Sequence, residues 1–415
     1  MFSLFNCWRP FWSPFSQRFL PGSIPQSATA ASNRRRHSVL SNRNIFPFRG
    51  IVLILIMAIG TGCATNSEDD ESASTALAAL SGADTTGYAR AHEPRSFAFP
   101  ADDGPHPEFK TEWWYWTGNL FTEEGRRFGY QFTVFRNALA PDTVLQTNAW
   151  RSNQLYFAHM AISDIQSESF HAFERFSRGS PALAGAQAHP FRVWVEDWIA
   201  GGASDSVRIV AADGSSKLDL LLHAEKPAVL QGNDGLSRKS SAPGNASYYY
   251  SRTRLGTTGQ LIVDGKTFSV SGTSWLDREW STSVLAEYQE GWDWFALQFD
   301  DESELMLYQL RLKDGTIDSL SSGMLVEPDG RTRTLHSSDF RIEPTGDWTS
   351  PETGIRWPSG WLLHVHPWDV TLRVTPAQKN QEMPTSIRYW EGAVDVDGGS
   401  KNGVGYVELT GYGTN

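Results

Sequence analysis

From Trp113 onward, apolar residues alternate with polar or small ones over short stretches, the period of a half-buried strand. Phe128-Gly129-Tyr130-Gln131-Phe132-Thr133-Val134 is the clearest run. Segments 206–210 and 218–222 flank Asp213-Gly214, and 261–263 meets 268–270 across Asp264-Gly265, so each pair predicts a tight hairpin. Segments 305–310 and 361–365 read as further strands. Few stretches carry the 3.6-residue period of an amphipathic helix. Short strands, Gly turns and 17 Trp predict an all-β chain of barrels or sandwiches.

The pattern also repeats. At a shift of 178 residues Trp114 falls on Trp292, Trp116 on Trp294, Phe121 on Phe299, Tyr130 on Tyr308 and Gln131 on Gln309. At a shift of 133, Asp264-Gly265 and Gly272 fall on Asp397-Gly398 and Gly405. Two related antiparallel barrels are expected, one over 96–284 and one over 285–415.

The first 62 residues have another character. They hold seven Arg and no Lys, Asp or Glu, and end in the apolar run 51–60 before Thr61-Gly62-Cys63. A basic stretch, about ten apolar residues and small residues describe an export signal, too short for a spanning helix. Small residues before Cys63 resemble a bacterial lipoprotein signal, which makes Cys63 the lipid attachment point. Ala64 in place of Asp then implies the outer membrane, facing the periplasm. Residues 63–95 begin in a Ser-, Ala- and acid-rich stretch and read as a flexible tether. Losing the seven Arg takes the formal charge from −11 to −18, which argues against nucleic-acid partners and leaves the lipid as the membrane contact. Cys7 and Cys63 are the only thiols, so the part beyond Cys63 has neither disulfide nor cysteine nucleophile. No phosphate loop or nucleophile elbow is present. His364 and His366 share a strand face without a nearby third ligand, so no metal and no cofactor is expected.

Six stretches together resemble the carotenoid 1,2-hydratases (hydroxyneurosporene synthases) and AttH-like proteins. They are Glu112-Trp113-Trp114-Tyr115-Trp116-Thr117-Gly118-Asn119-Leu120, Tyr130-Gln131-Phe132-Thr133-Val134-Phe135-Arg136, His159-Met160-Ala161-Ile162-Ser163-Asp164, Tyr248-Tyr249-Tyr250-Ser251, Ser274-Trp275-Leu276-Asp277-Arg278-Glu279-Trp280 and Tyr406-Val407-Glu408-Leu409-Thr410-Gly411-Tyr412. The resemblance implies two tandem lipocalin-like (calycin) barrels. It also places Asp277 on the acid that protonates an isolated double bond in the hydratases. Trp275 stands where they have Tyr, and Tyr248 and Tyr250 where they have His and Trp.

Alkene protonation needs a carboxylic acid kept neutral, and burial among aromatic rings raises a carboxyl pKa. Asp277, with Trp275, Tyr248 and Tyr250, is therefore the candidate catalytic set. The competing reading pairs Asp277 with Arg278, Arg252 or Arg254 as a structural salt bridge. By alternation Asp277 shares a face with Trp275 and opposes Leu276, and would join Phe268 only across a bulge at Gly272. Glu112, Trp114, Trp116, Gln131 and His159 are candidate ligand contacts. Each has a structural alternative: Glu112 could hold Arg136 or Lys110, Trp114 and Trp116 could fill the barrel, Gln131 could face out, and His159 could bond Asp164 or backbone. Trp113 and Tyr115 would face the second barrel. The expected protein is a periplasmic lipoprotein binding an apolar or amphipathic small molecule in a lipocalin-like barrel. The alternatives are a hydratase, isomerase or cyclase using Asp277, and an assembly protein whose barrels only pack. A homo-oligomer and an export or transport system are the protein partners this allows.

Overall fold

The computed structural model describes residues 85–141, 152–282 and 285–413. Cys63, the leader and the tether up to residue 84 lie outside them. The alternating stretches form strands, and nearly every described element is β.

Two nearly closed antiparallel sheets hold most of the described strands, and a third, two-stranded sheet pairs Asp347–Thr349 with Arg356–Pro358. The first has thirteen strands among the described residues, running from Thr111–Phe121 to Lys266–Ser281. These two strands pair with each other, so the chain winds round and meets its own start. The gap falls between Ser169–Arg178 and Ala184–Gln187, which an isolated bridge from Ser180 to Ala184 narrows. The second sheet has ten strands, and Gln289–Phe299 likewise pairs with the last, Gly403–Leu409.

Apolar side chains pack each interior. Trp114, Trp116, Phe132, Val134, Trp198, Leu220 and Leu276 pack inside the first sheet. Phe295, Leu297, Trp357, Trp361, Trp390 and Val407 pack inside the second. A third cluster lies between the sheets, built from outward-facing Tyr115, Tyr249 and Trp275 of the first and Trp294, Tyr308 and Tyr406 of the second. Polar bonds cross the same seam. The amide of Gln298 donates to the carbonyls of Thr253 at 2.7 Å and Ser274 at 3.0 Å, and Asn119 Nδ2 to that of Gly405 at 3.0 Å.

The duplication holds, but the shift of 178 is wrong in register. It equates Trp114, Trp116 and Tyr130, which point inward, with Trp292, Trp294 and Tyr308, which point at the other barrel. An even shift cannot do otherwise if the faces are offset by one, because a one-residue slip exchanges the two faces of a strand. Pairing gives an odd offset. Leu276 pairs with Trp116, and its counterpart at a shift of 133, Leu409, pairs with Asp293, 177 residues on.

Candidate functional site between the barrels

Asp277 lies on the Lys266–Ser281 strand, flanked by the Thr111–Phe121 and Ala246–Val263 strands. Its neighbours across the sheet are Tyr115 on one side and Ser251 on the other. One step along the same face, Glu279 stands between Trp113 and Tyr249. The pairing runs unbroken past Gly272, so no bulge turns Asp277 inward; the irregularity lies on the neighbouring strand, between Arg252 and Leu255. Asp277 therefore sits on the outer face of the first barrel, yet is only 4% exposed because the second barrel covers that face.

The space between is a cavity of about 220 Å³. Trp113, Tyr115, Tyr249, Asp277 and Glu279 form one wall; Trp292, Trp294, Tyr308, Glu391 and Glu408 form the other. Rings from the two walls meet: Tyr115 stands edge-on to Trp294 at 5.3 Å, and Trp275 edge-on to the same indole at 6.4 Å. The cavity thus lies between the two barrels, whereas the expected ligand space was inside a barrel. The barrel interior is occupied by its own side chains, Trp114 and Trp116 among them.

Three donors hold Asp277. The Tyr249 hydroxyl donates to Oδ2 at 2.5 Å, the Trp275 indole N–H to Oδ1 at 2.7 Å, and the Ser251 hydroxyl also to Oδ1. Burial nevertheless pushes its pKa up to about 7, with the charge of Glu279 adding to the rise and the donors opposing it. The expected salt bridge to Arg252, Arg254 or Arg278 is not formed. Those guanidiniums serve Asp103, Glu304 and Glu112 instead. Glu279 is paired, at 2.8 Å, with Lys239, whose ammonium also lies 4.7 Å from the Tyr308 ring centre. Burial pulls on the Lys239 pKa from below, but Glu279 holds the ammonium above its ordinary value.

The opposite wall carries two more acids, Glu391 and Glu408, directly opposite each other on adjacent strands. Burial pushes Glu408 up to about 8, and Asp277 and Glu279 reinforce this; the Trp292 indole donates to it at 3.0 Å. Glu391 is 1% exposed, and neither carboxyl oxygen has a partner at hydrogen-bonding geometry among the described residues. Burial, then repulsion from Glu408, raises it well above the usual carboxylate range, against the weaker pull of the Tyr115 and Tyr389 hydroxyls.

The AttH-like family model matches residues 90–412. The chain belongs to the AttH-like family. It is similar to the crystal structure of a putative AttH from Nitrosomonas europaea, at 32% identity and TM-score 0.70, over 78% of this chain and 99% of that one. It shares its fold with kievitone hydratase from Nectria haematococca, at 14% identity and TM-score 0.61, over 79% of this chain and 97% of that one. No curated protein matches.

The other sequence candidates separate from the cavity in this AttH-like chain. Tyr248 and Tyr250 point away from Asp277. The Tyr248 hydroxyl donates to the Glu93 carbonyl at 3.0 Å and Tyr250 to Asp103 Oδ1 at 2.6 Å, and both rings pack on Trp280. Tyr249 between them is the residue that reaches the acid. Glu112 is no second acid of the site. It is completely buried and paired with Arg136 and Arg278, and the His106 backbone N–H reaches both of its oxygens at 3.1 Å. Burial alone would raise its pKa, but the two guanidiniums hold it far below the usual carboxylate range. Trp114 supports this cluster, with the Arg278 guanidinium 3.9 Å above its ring. Gln131 and His159 stand behind the cavity, both touching Tyr389, a wall residue. His159 Nδ1 lies 2.7 Å from its hydroxyl and Nε2 2.8 Å from Glu174, not Asp164. The Gln131 amide donates to the same hydroxyl at 3.4 Å.

Glu391, Glu408, Glu279, Lys239 and Tyr249 were not among the sequence candidates. Glu408 did leave a trace, since the shift of 133 lays it on Trp275, the neighbour of Asp277.

Proposed function

We propose that this chain is an enzyme acting on a carbon–carbon double bond of an apolar or amphipathic small molecule held between the barrels, with Asp277 as general acid. One observation carries the reading: a buried carboxyl with its pKa raised to about 7 faces an aromatic cavity. Near neutral pH a substantial fraction of Asp277 keeps its proton, which an ordinary aspartate would not. Transfer of that proton to one alkene carbon leaves a cation on the other. The faces of Trp294 and Tyr115 stabilise it. Water then adds to the cation and returns a proton to the Asp277 carboxylate, which gives an alcohol. Loss of a neighbouring proton instead gives an isomer. Tyr249, Ser251 and Trp275 hold the carboxylate that exists between the two transfers. The fold shared with a protein named as a hydratase agrees with this chemistry.

The test is incubation of the full chain in D2O with a panel of isoprenoid and aryl alkenes, followed by mass spectrometry. Protonation at carbon leaves one solvent deuterium in the alcohol or the isomer. Wild type should incorporate it and Asp277→Asn should not. Equal incorporation by both removes Asp277 from the chemistry. Binding without incorporation would make the protein a carrier.

We also propose export and lipid attachment at Cys63, supported by the basic, apolar and small-residue order of the leader. Labelling with a radioactive fatty acid should mark the wild-type chain and leave Cys63→Ser unmarked.

A further inference from the structure

Among the described residues, two acids of the cavity lack a cation, and Arg388, which also lines it, is not within ion-pair distance of either. Asp277 has three donors and Glu279 has Lys239. Glu391 and Glu408 stand side by side on adjacent strands, and among the described residues no Lys or Arg is within ion-pair distance of either. Like charges directly opposite each other destabilise a sheet, and a buried acid without partners is costlier still. Glu391 is the extreme case, with both oxygens buried and only the Tyr115 and Tyr389 hydroxyls turned toward it. The Tyr115 hydroxyl on the facing wall is the neutral group that meets it there, short of good hydrogen-bonding geometry. Around the two acids stand the rings of Trp292, Trp294, Tyr115 and Tyr389. Aromatic faces beside carboxylates are the surroundings that favour an organic cation.

We propose that the molecule bound between the barrels carries a protonated amine, which seats on the Glu391–Glu408 pair while its apolar body lies along the aromatic wall. This rests on the cavity being the ligand site and adds the chemical class of the ligand. With the site empty, the pair avoids repulsion by keeping protons, in line with the upward shift of both carboxyls. An arriving ammonium reverses that preference, so binding expels a proton into solvent. Affinity therefore rises with pH through neutrality, until the amine itself loses its charge.

The probe pair is 1-naphthylmethylamine and 1-naphthalenemethanol, alike in shape and different in charge. Calorimetric titration of the full chain at neutral pH, in two buffers of different ionisation enthalpy, reads affinity and proton release together. The amine should bind about tenfold or more tightly than the alcohol and release up to about one proton. In the double variant Glu391→Gln, Glu408→Gln the preference and the proton release should vanish, while the alcohol binds as before and shows the cavity intact. Equal or tighter binding of the alcohol to wild type overturns the amine and leaves the cavity reading standing. A preference that survives in the double variant overturns the role of the pair. Binding of neither probe overturns the amine as well, and counts against the cavity as a ligand site.

Discussion

Replacing Asp277 by Asn should make the protein more stable, and by an amount that depends on pH. The swap keeps the shape of the side chain. With its carbonyl oxygen in the place of Oδ1, Asn still accepts from Trp275 and Ser251, and its amide can donate to a reoriented Tyr249 hydroxyl. What disappears is the charge. In wild type the folded pKa is raised from 3.8 to about 7, so folding opposes ionisation. A raised acid contributes its full stability below its unfolded pKa and loses it as pH climbs through the folded one. The loss therefore accumulates between about pH 4 and pH 7 and is constant above. Three pKa units at 1.36 kcal/mol each give about 4 kcal/mol, and sharing of the shift with Glu279 and Glu408 brings the expected gain to about 2–4 kcal/mol. Urea unfolding followed by tryptophan fluorescence at several pH values measures it. The two proteins should agree within about 1 kcal/mol near pH 4 and diverge upward from there. A difference that does not change with pH means that Asp277 titrates as an ordinary aspartate, and the general-acid role falls with it. Gain of stability with loss of turnover would mark a carboxyl held in place for chemistry.

The Glu112 cluster should respond in the opposite sense: Glu112→Gln leaves Arg136 and Arg278 buried without their counter-charge and should cost about 3–5 kcal/mol in urea unfolding at neutral pH. A cost below 1 kcal/mol would remove its structural role. Trp116→Ala, in the filled interior, should cost about 3–5 kcal/mol, whereas Trp113→Ala, half-buried on the cavity wall, should cost much less and instead weaken naphthyl binding. The reverse order would place the ligand inside the barrel. Gly272→Ala should destabilise by about 1–3 kcal/mol, since a Cβ there would stand 2.1 Å from the Asn119 carbonyl oxygen; a neutral result in thermal unfolding would show that the two strands can part.

Strand alternation was enough to read which side of its strand Asp277 takes. It shares a face with Trp275 and opposes Leu276, as the bare sequence implies, and Trp113 and Tyr115 do face the second barrel. Alternation could not say what lies beyond that face. An acid on the outer side of a barrel reads as solvated or salt-bridged, and only packing of a second sheet buries it. Tyr249 was hidden for a related reason. In Tyr248-Tyr249-Tyr250 either parity offers a phenol, and the choice depends on how this strand registers against the next, where Tyr249 falls opposite Glu279. Glu391 and Glu408 lie 17 residues apart in sequence and more than 110 from Asp277, and no local pattern links such distances. The repeat failed where identical residue types outvoted face. Trp-x-Trp recurs, but in the first barrel it fills the interior and in the second it faces the cavity.

Each barrel supplies one wall of the cavity, so neither half of the chain owns the site. A fragment ending near residue 282 would bare Tyr115, Trp275 and Asp277 to solvent, and the carboxyl would return to the acidity of any surface aspartate. Two separately produced halves would each lack the proposed chemistry and regain it only on reassociation. Small changes in how the two sheets seat against each other would then tune the strength of the acid without touching a residue beside it.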